Sequence, residues 1–356
     1  MPSDATVIDG CGLCNRLASP YVCETCQLVS YCSEEHMQEH KHAHQRVCCR
    51  IDDIRREAER YQLRDEDGNV IRPQDLDTTE DEGWRYRSEN LEYTTSHMLL
   101  IQEIEQLSTR PALKARLELM LKTGHLYRND AENAMDILCL HFRLGRHAEF
   151  YNLVKTHTTK SPASVLSTFG TGYTFQDWLK TIDETPDLFE DVQWLISSDY
   201  HVDIVLLVML LKLDMLFDLV AAETATDTVG SRVPREILDH IVSFAVTTSA
   251  VADSPKFLSL DHTEQIRILR DQIQELYTAI SRRKFNVWDS VIKYKKSGWG
   301  DSCPEHIDFP SGCQSTFRCG PHYALDFWHE RPWALKYISK LAPNTYVCGD
   351  EILPGA

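Results

Sequence analysis

The stretch 11–48, CGLCNRLASPYVCETCQLVSYCSEEHMQEHKHAHQRVC, decides how the first part of this chain folds. Its spacing is Cys11-x2-Cys14-x8-Cys23-x2-Cys26-x5-Cys32-x3-His36-x7-His44-x3-Cys48. Each Cys-x2-Cys is a tight knuckle that turns two sulfurs towards one point. Cys32/His36 and His44/Cys48 are four apart, which on a helix puts both side chains on one face. Four pairs supply eight ligands, the number that two closed tetrahedral sites need. Soft thiolates with imidazole favour zinc over calcium or magnesium. A closed site has no place for a water, so two structural zinc ions per chain are expected. Spacing leaves the pairing open: neighbouring pairs can combine, or the first can join the third and the second the fourth. Three spare side chains lie close by. His40 is four residues from both His36 and His44, Cys49 adjoins Cys48, and His42 points elsewhere on a helix, towards solvent.

Working outward, cysteine usage supports the metal reading. Seven of the twelve cysteines fall between Cys11 and Cys49, one is Cys139 and four follow Gly300. Residues Met1 to Gly10 have neither a basic start nor an apolar run, so no secretory leader is expected and the compartment is read as intracellular, nucleus or cytoplasm alike. The longest apolar stretch, Ile204 to Val220, is interrupted by Lys212, Asp214 and Asp218, which argues for a buried helix rather than a membrane span. The chain has 356 residues and a formal charge of −17, so as a whole it repels nucleic acid and anionic membranes. The most basic stretch, Arg282 to Lys296, is broken by Asp289 and apolar residues.

The pattern divides the chain into a finger (1–50), a charged helix and acidic linker (51–83), an α-helical domain (84–296) and an irregular C-terminal segment with one helix (297–356). Residues Gln45 to Arg64 read as a charged helix, and Asp65 to Glu82 as acidic linker. Beyond Trp84, apolar residues recur at three- and four-residue steps, as in Met98, Ile101, Ile104 and Leu107. Ala131 to His157 reads as a helical hairpin. Ala134, Met135, Leu138, His141 and Phe142 share one face, Leu144-Gly145-Arg146 turns the chain, and Phe150, Tyr151 and Val154 begin the return. Further helices are expected at Ile204–Ala222, Pro234–Thr247, Thr263–Arg283 and Tyr323–Leu341. The fold class is therefore mainly α, either a stack of hairpins or an irregular bundle.

Other chemical-looking signals are weaker. Asp65-Glu-Asp-Gly-Asn69 opens like a calcium loop, but Val70 stands where Gly is needed and Leu76 where Glu is needed. Cys303, His306, Cys313, Cys319 and His322 have plausible metal spacing without a second regular pair, so whether they bind metal stays open. Cys139 and His141 are two apart on a helix and point away from each other, which rules out a catalytic pair. Gly170-Thr-Gly172 lacks the Lys of a phosphate loop, and Ser161-Pro162 is a common dipeptide.

The ligand spacing, with Tyr31-Cys32-Ser33-Glu34-Glu35 ahead of His36, resembles the MYND-type zinc finger. That resemblance implies interleaved sites: Cys11, Cys14, Cys32 and His36 on one zinc, Cys23, Cys26, His44 and Cys48 on the other. His36 stands where the family more often has Cys. Met37 and Lys41 stand where members that bind proline-containing peptides carry Gln and Trp, which argues against that mode of capture. The helical part resembles uncharacterised fungal MYND-finger proteins in Asn133-Ala-Met-Asp-Ile-Leu, Leu144-Gly-Arg-His-Ala-Glu-Phe-Tyr151, Leu206-Leu-Val-Met-Leu-Leu-Lys-Leu-Asp214 and Gln272-Ile-Gln-Glu-Leu-Tyr277. The expected function is a zinc-binding, non-enzymatic protein–protein interaction protein, an adaptor or scaffold, with protein or peptide partners and, by family analogy, a place in transcription. The competing readings are an enzyme such as a divergent lysine methyltransferase, and a nucleic-acid-binding finger. The first lacks an Asn-His-Ser-Cys-type motif and the second lacks a basic patch.

Overall fold

The computed structural model describes residues 7–65, 67–72, 88–123, 130–160, 180, 186–196, 202–230, 232–252, 261–283, 287–293 and 321–341. A two-stranded antiparallel ribbon, β1 (Tyr21–Val22) and β2 (Ser30–Tyr31), opens the fold and leads into α1 (Glu34–Ala58). Four helices follow: α2 (Ser88–Glu105), α3 (Arg110–Thr123), α4 (Asp130–Arg143) and α5 (His147–Lys160). The single turn α6 (Gln193–Ile196) precedes α7 (Val202–Val229), α8 (Arg235–Ala245) and the turn α9 (Ser249–Ala252). The chain then forms α10 (Thr263–Arg283), α11 (Val287–Lys293), α12 (Pro321–His329) and α13 (Pro332–Leu341). The protein is mainly α, with the small cysteine-rich unit in front of the helices, as the sequence implies.

From α1 to α5 each helix packs on the next. The remaining helices gather around α7, which touches α5, α8, α9, α10 and α12. The second half is therefore an irregular bundle around one central helix. Residues Asp203 to Leu216 are buried without a gap, as expected of a helix that is apolar all round. The three charges that interrupt its apolar run, Lys212, Asp214 and Asp218, are each satisfied. The Lys212 amine donates to the Leu188 carbonyl and lies 5.3 Å from the Tyr151 ring centroid. Asp214 accepts from Arg331 Nε at 3.1 and 3.2 Å. Asp218 accepts from the backbone N–H and hydroxyl of both Thr247 and Thr248 at 2.6–3.0 Å. Among the described residues no helix is long and apolar enough to cross a membrane.

The hairpin of α4 and α5 is closed by a Schellman turn. Arg146 N–H donates to His141 O (2.9 Å) and Gly145 N–H to Phe142 O (3.1 Å), with Gly145 at φ +72°, the left-handed value that glycine adopts without steric cost. All the face residues expected here are buried, with Phe150, Tyr151 and Val154 fully so. Helix α10 has the expected bounds, and α7 runs seven residues beyond the expected Ala222.

Three expectations change. The charged helix starts at Glu34 rather than Gln45 and ends at Ala58, so the finger's last ligands and the charged segment share one helix. The buried face of α2 runs through Tyr93, His97, Leu100, Ile101 and Ile104, while Met98 is 42 % exposed. The helix expected over Tyr323–Leu341 is two, because Pro332 begins a new helix and has no N–H to continue the old one. Pro234 lies one residue before α8, as its N-cap. The Asp65 loop is a self-contained turn: its carboxylate accepts from Asn69 N–H (2.7 Å) and Nδ2 (3.0 Å). Ser161-Pro162, Gly170-Thr-Gly172, Leu76, Cys303, His306, Cys313, Cys319 and the side chain of His322 lie outside the described residues.

Candidate metal centre

The two knuckles are built alike. After Cys14, Asn15 turns left-handed (φ 56°) and its N–H donates to Cys11 O at 2.7 Å; after Cys26, Gln27 does the same (φ 60°) and donates to Cys23 O at 2.9 Å. Asn tolerates this conformation because its short amide bonds locally, and Asn15 Oδ1 accepts from the N–H groups of Asp9 and Gly10 at 3.1 and 3.2 Å. Gly10 is required here, since a Cβ would lie 2.2 Å from Arg16 O. The second knuckle connects the two strands, and β2 carries Cys32 back beside the first knuckle, where Ser30 bridges Cys11. Ser33 then caps α1, accepting from His36 N–H at 3.3 Å. Cys32 therefore sits just ahead of the helix, not on it, while His36 lies in its first turn and His44 and Cys48 face inward further along.

These elements bring all eight expected ligands into two groups, Cys11/Cys14/Cys32/His36 and Cys23/Cys26/His44/Cys48, with the ligand atoms of each group within 4.8 Å of one another. Zinc–sulfur bonds of about 2.3 Å and zinc–nitrogen bonds of about 2.0 Å, at tetrahedral angles, imply S···S near 3.8 Å and S···N near 3.5 Å. Cys14–Cys32 and Cys23–Cys48 sulfurs are 3.7 and 3.5 Å apart. Cys11 and Cys32 sulfurs lie 3.5 and 3.3 Å from His36 Nδ1, and Cys26 sulfur 3.3 Å from His44 Nε2. A disulfide would need about 2.05 Å. The donor sets fit zinc, and the interleaved pairing is the one the fold makes.

Electrostatics agree. Burial, then the neighbouring Cys23 and Cys26 sulfurs, push the Cys48 thiol up to about 12. Burial and the sulfurs of Cys14 and Cys11 raise Cys32 to about 11. Cys11 goes the other way, to about 6: burial raises it, but the N–H groups of Leu13, Cys14 and Cys32 and the His36 ring outweigh that. Burial pushes upward on all four of the Cys11, Cys23, Cys32 and Cys48 thiols, and Cys32 and Cys48 are raised further by neighbouring sulfurs. A divalent ion stabilises such crowded sulfurs as thiolates while displacing the protons. Of the spare side chains, His40 is used otherwise: its Nδ1 lies 3.1 Å from the Tyr31 hydroxyl, and its ring stacks on His44 at 5.7 Å. Cys49 and His42 are exposed and belong to neither group.

Residues 11–48 match the family described as MYND finger. This part of the chain is a MYND finger. Comparison of the chain with curated proteins and with solved structures gives no match. The MYND finger carries two Cys₃His zinc sites, Cys11/Cys14/Cys32/His36 and Cys23/Cys26/His44/Cys48, held by structural zinc ions.

What spacing alone missed is how the MYND finger is fixed to the helices. Cys11, Cys26, Leu28, Val29, Tyr31, Cys48, Ile51 and Ile54 share one apolar cluster with Leu100, Ile104 and Ala112 of α2 and α3. Thr109 Oγ1 donates to Leu28 O, Arg55 to Cys26 O at 3.0 Å, and Arg110 pairs with Asp9 and donates to Leu144 O at 3.1 Å. Ile8 bridges Thr109 through Ile8 N–H to Ser108 O and Arg110 N–H to Ile8 O, both 2.9 Å. Thr109 and Arg110 carried no sequence signal, because their partners lie about a hundred residues away.

Proposed function

We propose that the protein is a non-enzymatic protein–protein interaction protein whose MYND finger presents the recognition surface. The observation that carries this is the finger's exposed apolar side chains. Its buried residues pack on α2 and α3, while Leu13 (40 %), Leu17 (77 %), Tyr21 and Val22 stay exposed. Apolar side chains kept in water on a rigid, zinc-held frame suit a partner's apolar segment. Both zinc sites have four protein ligands, so neither offers an open coordination place for chemistry. Cys139 and His141 are both buried, consistent with core roles.

A role in transcription, an intracellular location and kinship of the helical region with fungal MYND-finger proteins are parts of the same proposal; they rest on the MYND finger and on the leucine-rich helical segments. The test is affinity capture with the intact protein and with Leu17→Glu/Val22→Glu. Partners that depend on these side chains should be lost from the variant at unchanged zinc content. Identical partner lists would place recognition elsewhere.

A further inference from the structure

The two zinc sites differ in their surroundings. In the inner group Cys26, His44 and Cys48 are buried and Cys23 half-buried. His44 and Cys48 sit in the middle of α1, two turns and one turn before the fully buried Ile51, so neither can swing out without disrupting the helix. Arg55 holds the Cys26 carbonyl and Thr109 the Leu28 carbonyl. In the outer group only Cys11 is buried; Cys32 and His36 are half-exposed and Cys14 is exposed. Cys14 belongs to the knuckle that also carries Leu13 and Leu17, closed by Cys11 N–H to Arg16 O at 2.9 Å and by the two bonds to Asn15 Oδ1. His36 lies in the first turn of α1, where Ser33 caps it and its ring meets only outer-site sulfurs among its described side-chain partners.

A competing chelator removes zinc by replacing protein ligands one at a time from the solvent side. It therefore needs a ligand that is exposed and free to move, and local opening is easiest where few buried contacts hold the chain. Cys14 is exposed on a loop outside α1, whereas no inner ligand is exposed. We infer that the outer site, Cys11/Cys14/Cys32/His36, is the exchangeable zinc site and controls whether the Leu13–Leu17 knuckle is presented, while the inner site anchors the finger to the helices. This rests on the interaction reading above for its consequence, since it makes recognition by that knuckle dependent on zinc supply. It does not rest on it for the metal chemistry.

The experiment uses the full chain loaded with zinc, with excess 4-(2-pyridylazo)resorcinol as chelator and reporter. Release should occur in two phases of one zinc each, the first roughly tenfold faster or more. Hydrogen exchange after the first phase should show protection lost around residues 11–20 and kept at 44–58 and in α2 and α3. Cys14→Ser should retain one zinc and the slow phase alone. Release of both ions in one phase, or early loss of protection at 44–58, would overturn the inference. A chain that starts with fewer than two zinc ions would overturn the two-site assignment itself. Failure of the interaction reading would appear in the capture experiment and leave the release kinetics unchanged.

Discussion

Replacing His141 by Leu should change how stability depends on pH, by an amount the structure sets. His141 is buried in the α4–α5 hairpin, and neither ring nitrogen has a hydrogen-bond partner among the described residues. Burial, with Arg146 nearby, lowers its pKa from 6.5 to about 4. The folded state thus binds this proton more weakly than the unfolded chain. Its stability contribution is present above pH 6.5 and lost as pH falls through 6.5 towards 4, after which nothing more is lost. Linkage gives a loss of about 2 kcal/mol between pH 7 and pH 5, and about 3 kcal/mol in full. His147 follows the same rule, lowered to about 4 by burial and by Arg331. Asp214 opposes both. Burial raises it to about 6 against the pull of Arg331, so its folded form takes up a proton and returns about 1 kcal/mol over the same interval. Protonation of zinc ligands also weakens the fold in acid. Comparing His141→Leu with the parent at both pH values cancels these shared contributions. Urea unfolding should show the variant gaining about 2 kcal/mol on the parent from pH 7 to pH 5. Equal shifts in the two proteins would mean that His141 does not stay neutral in the folded state.

Asp218→Ala leaves two threonine N–H groups and two hydroxyls without their acceptor between α7 and α9; denaturant midpoints should report a loss of about 3 kcal/mol. Ile51→Ala empties the contact between finger and helices and should cost about 2–5 kcal/mol, with finger and α2–α3 unfolding together by hydrogen exchange. Gly10→Ala places a Cβ on the Arg16 carbonyl and should lower occupancy of the outer zinc site, measured by metal content, while the inner zinc stays.

The ligands were legible in the sequence because metal binding imposes short, fixed spacings on residue types that are rare elsewhere. The pairing followed from the resemblance and is now explained by the ribbon, which carries Cys32 back beside the first knuckle. Helix α10 was legible to the residue, since its apolar steps begin and end with it. Helix α7 was read seven residues short because Glu223 to Val229 is mostly polar and carries no apolar periodicity. Met98 misled for the opposite reason: an apolar residue at the right step lies on the exposed face, while the polar Ser96 and His97 turn inward, His97 ring nitrogen Nδ1 lying 2.8 Å from Tyr93 O. The docking of Ile8, Leu28 and Asp9 on Thr109 and Arg110 was invisible, because contacts between distant segments leave no periodic mark.

Two zinc ions in interleaved Cys₃His sites require that a double variant in one site leave the other ion in place, and metal content reads this out. Elemental analysis should find two zinc ions in the parent chain and one in Cys14→Ser/Cys32→Ser, since both changes fall in the outer site. If neighbouring pairs shared each ion instead, the same variant would damage both sites. A parent chain with fewer than two zinc ions, or a variant with none, would contradict the account.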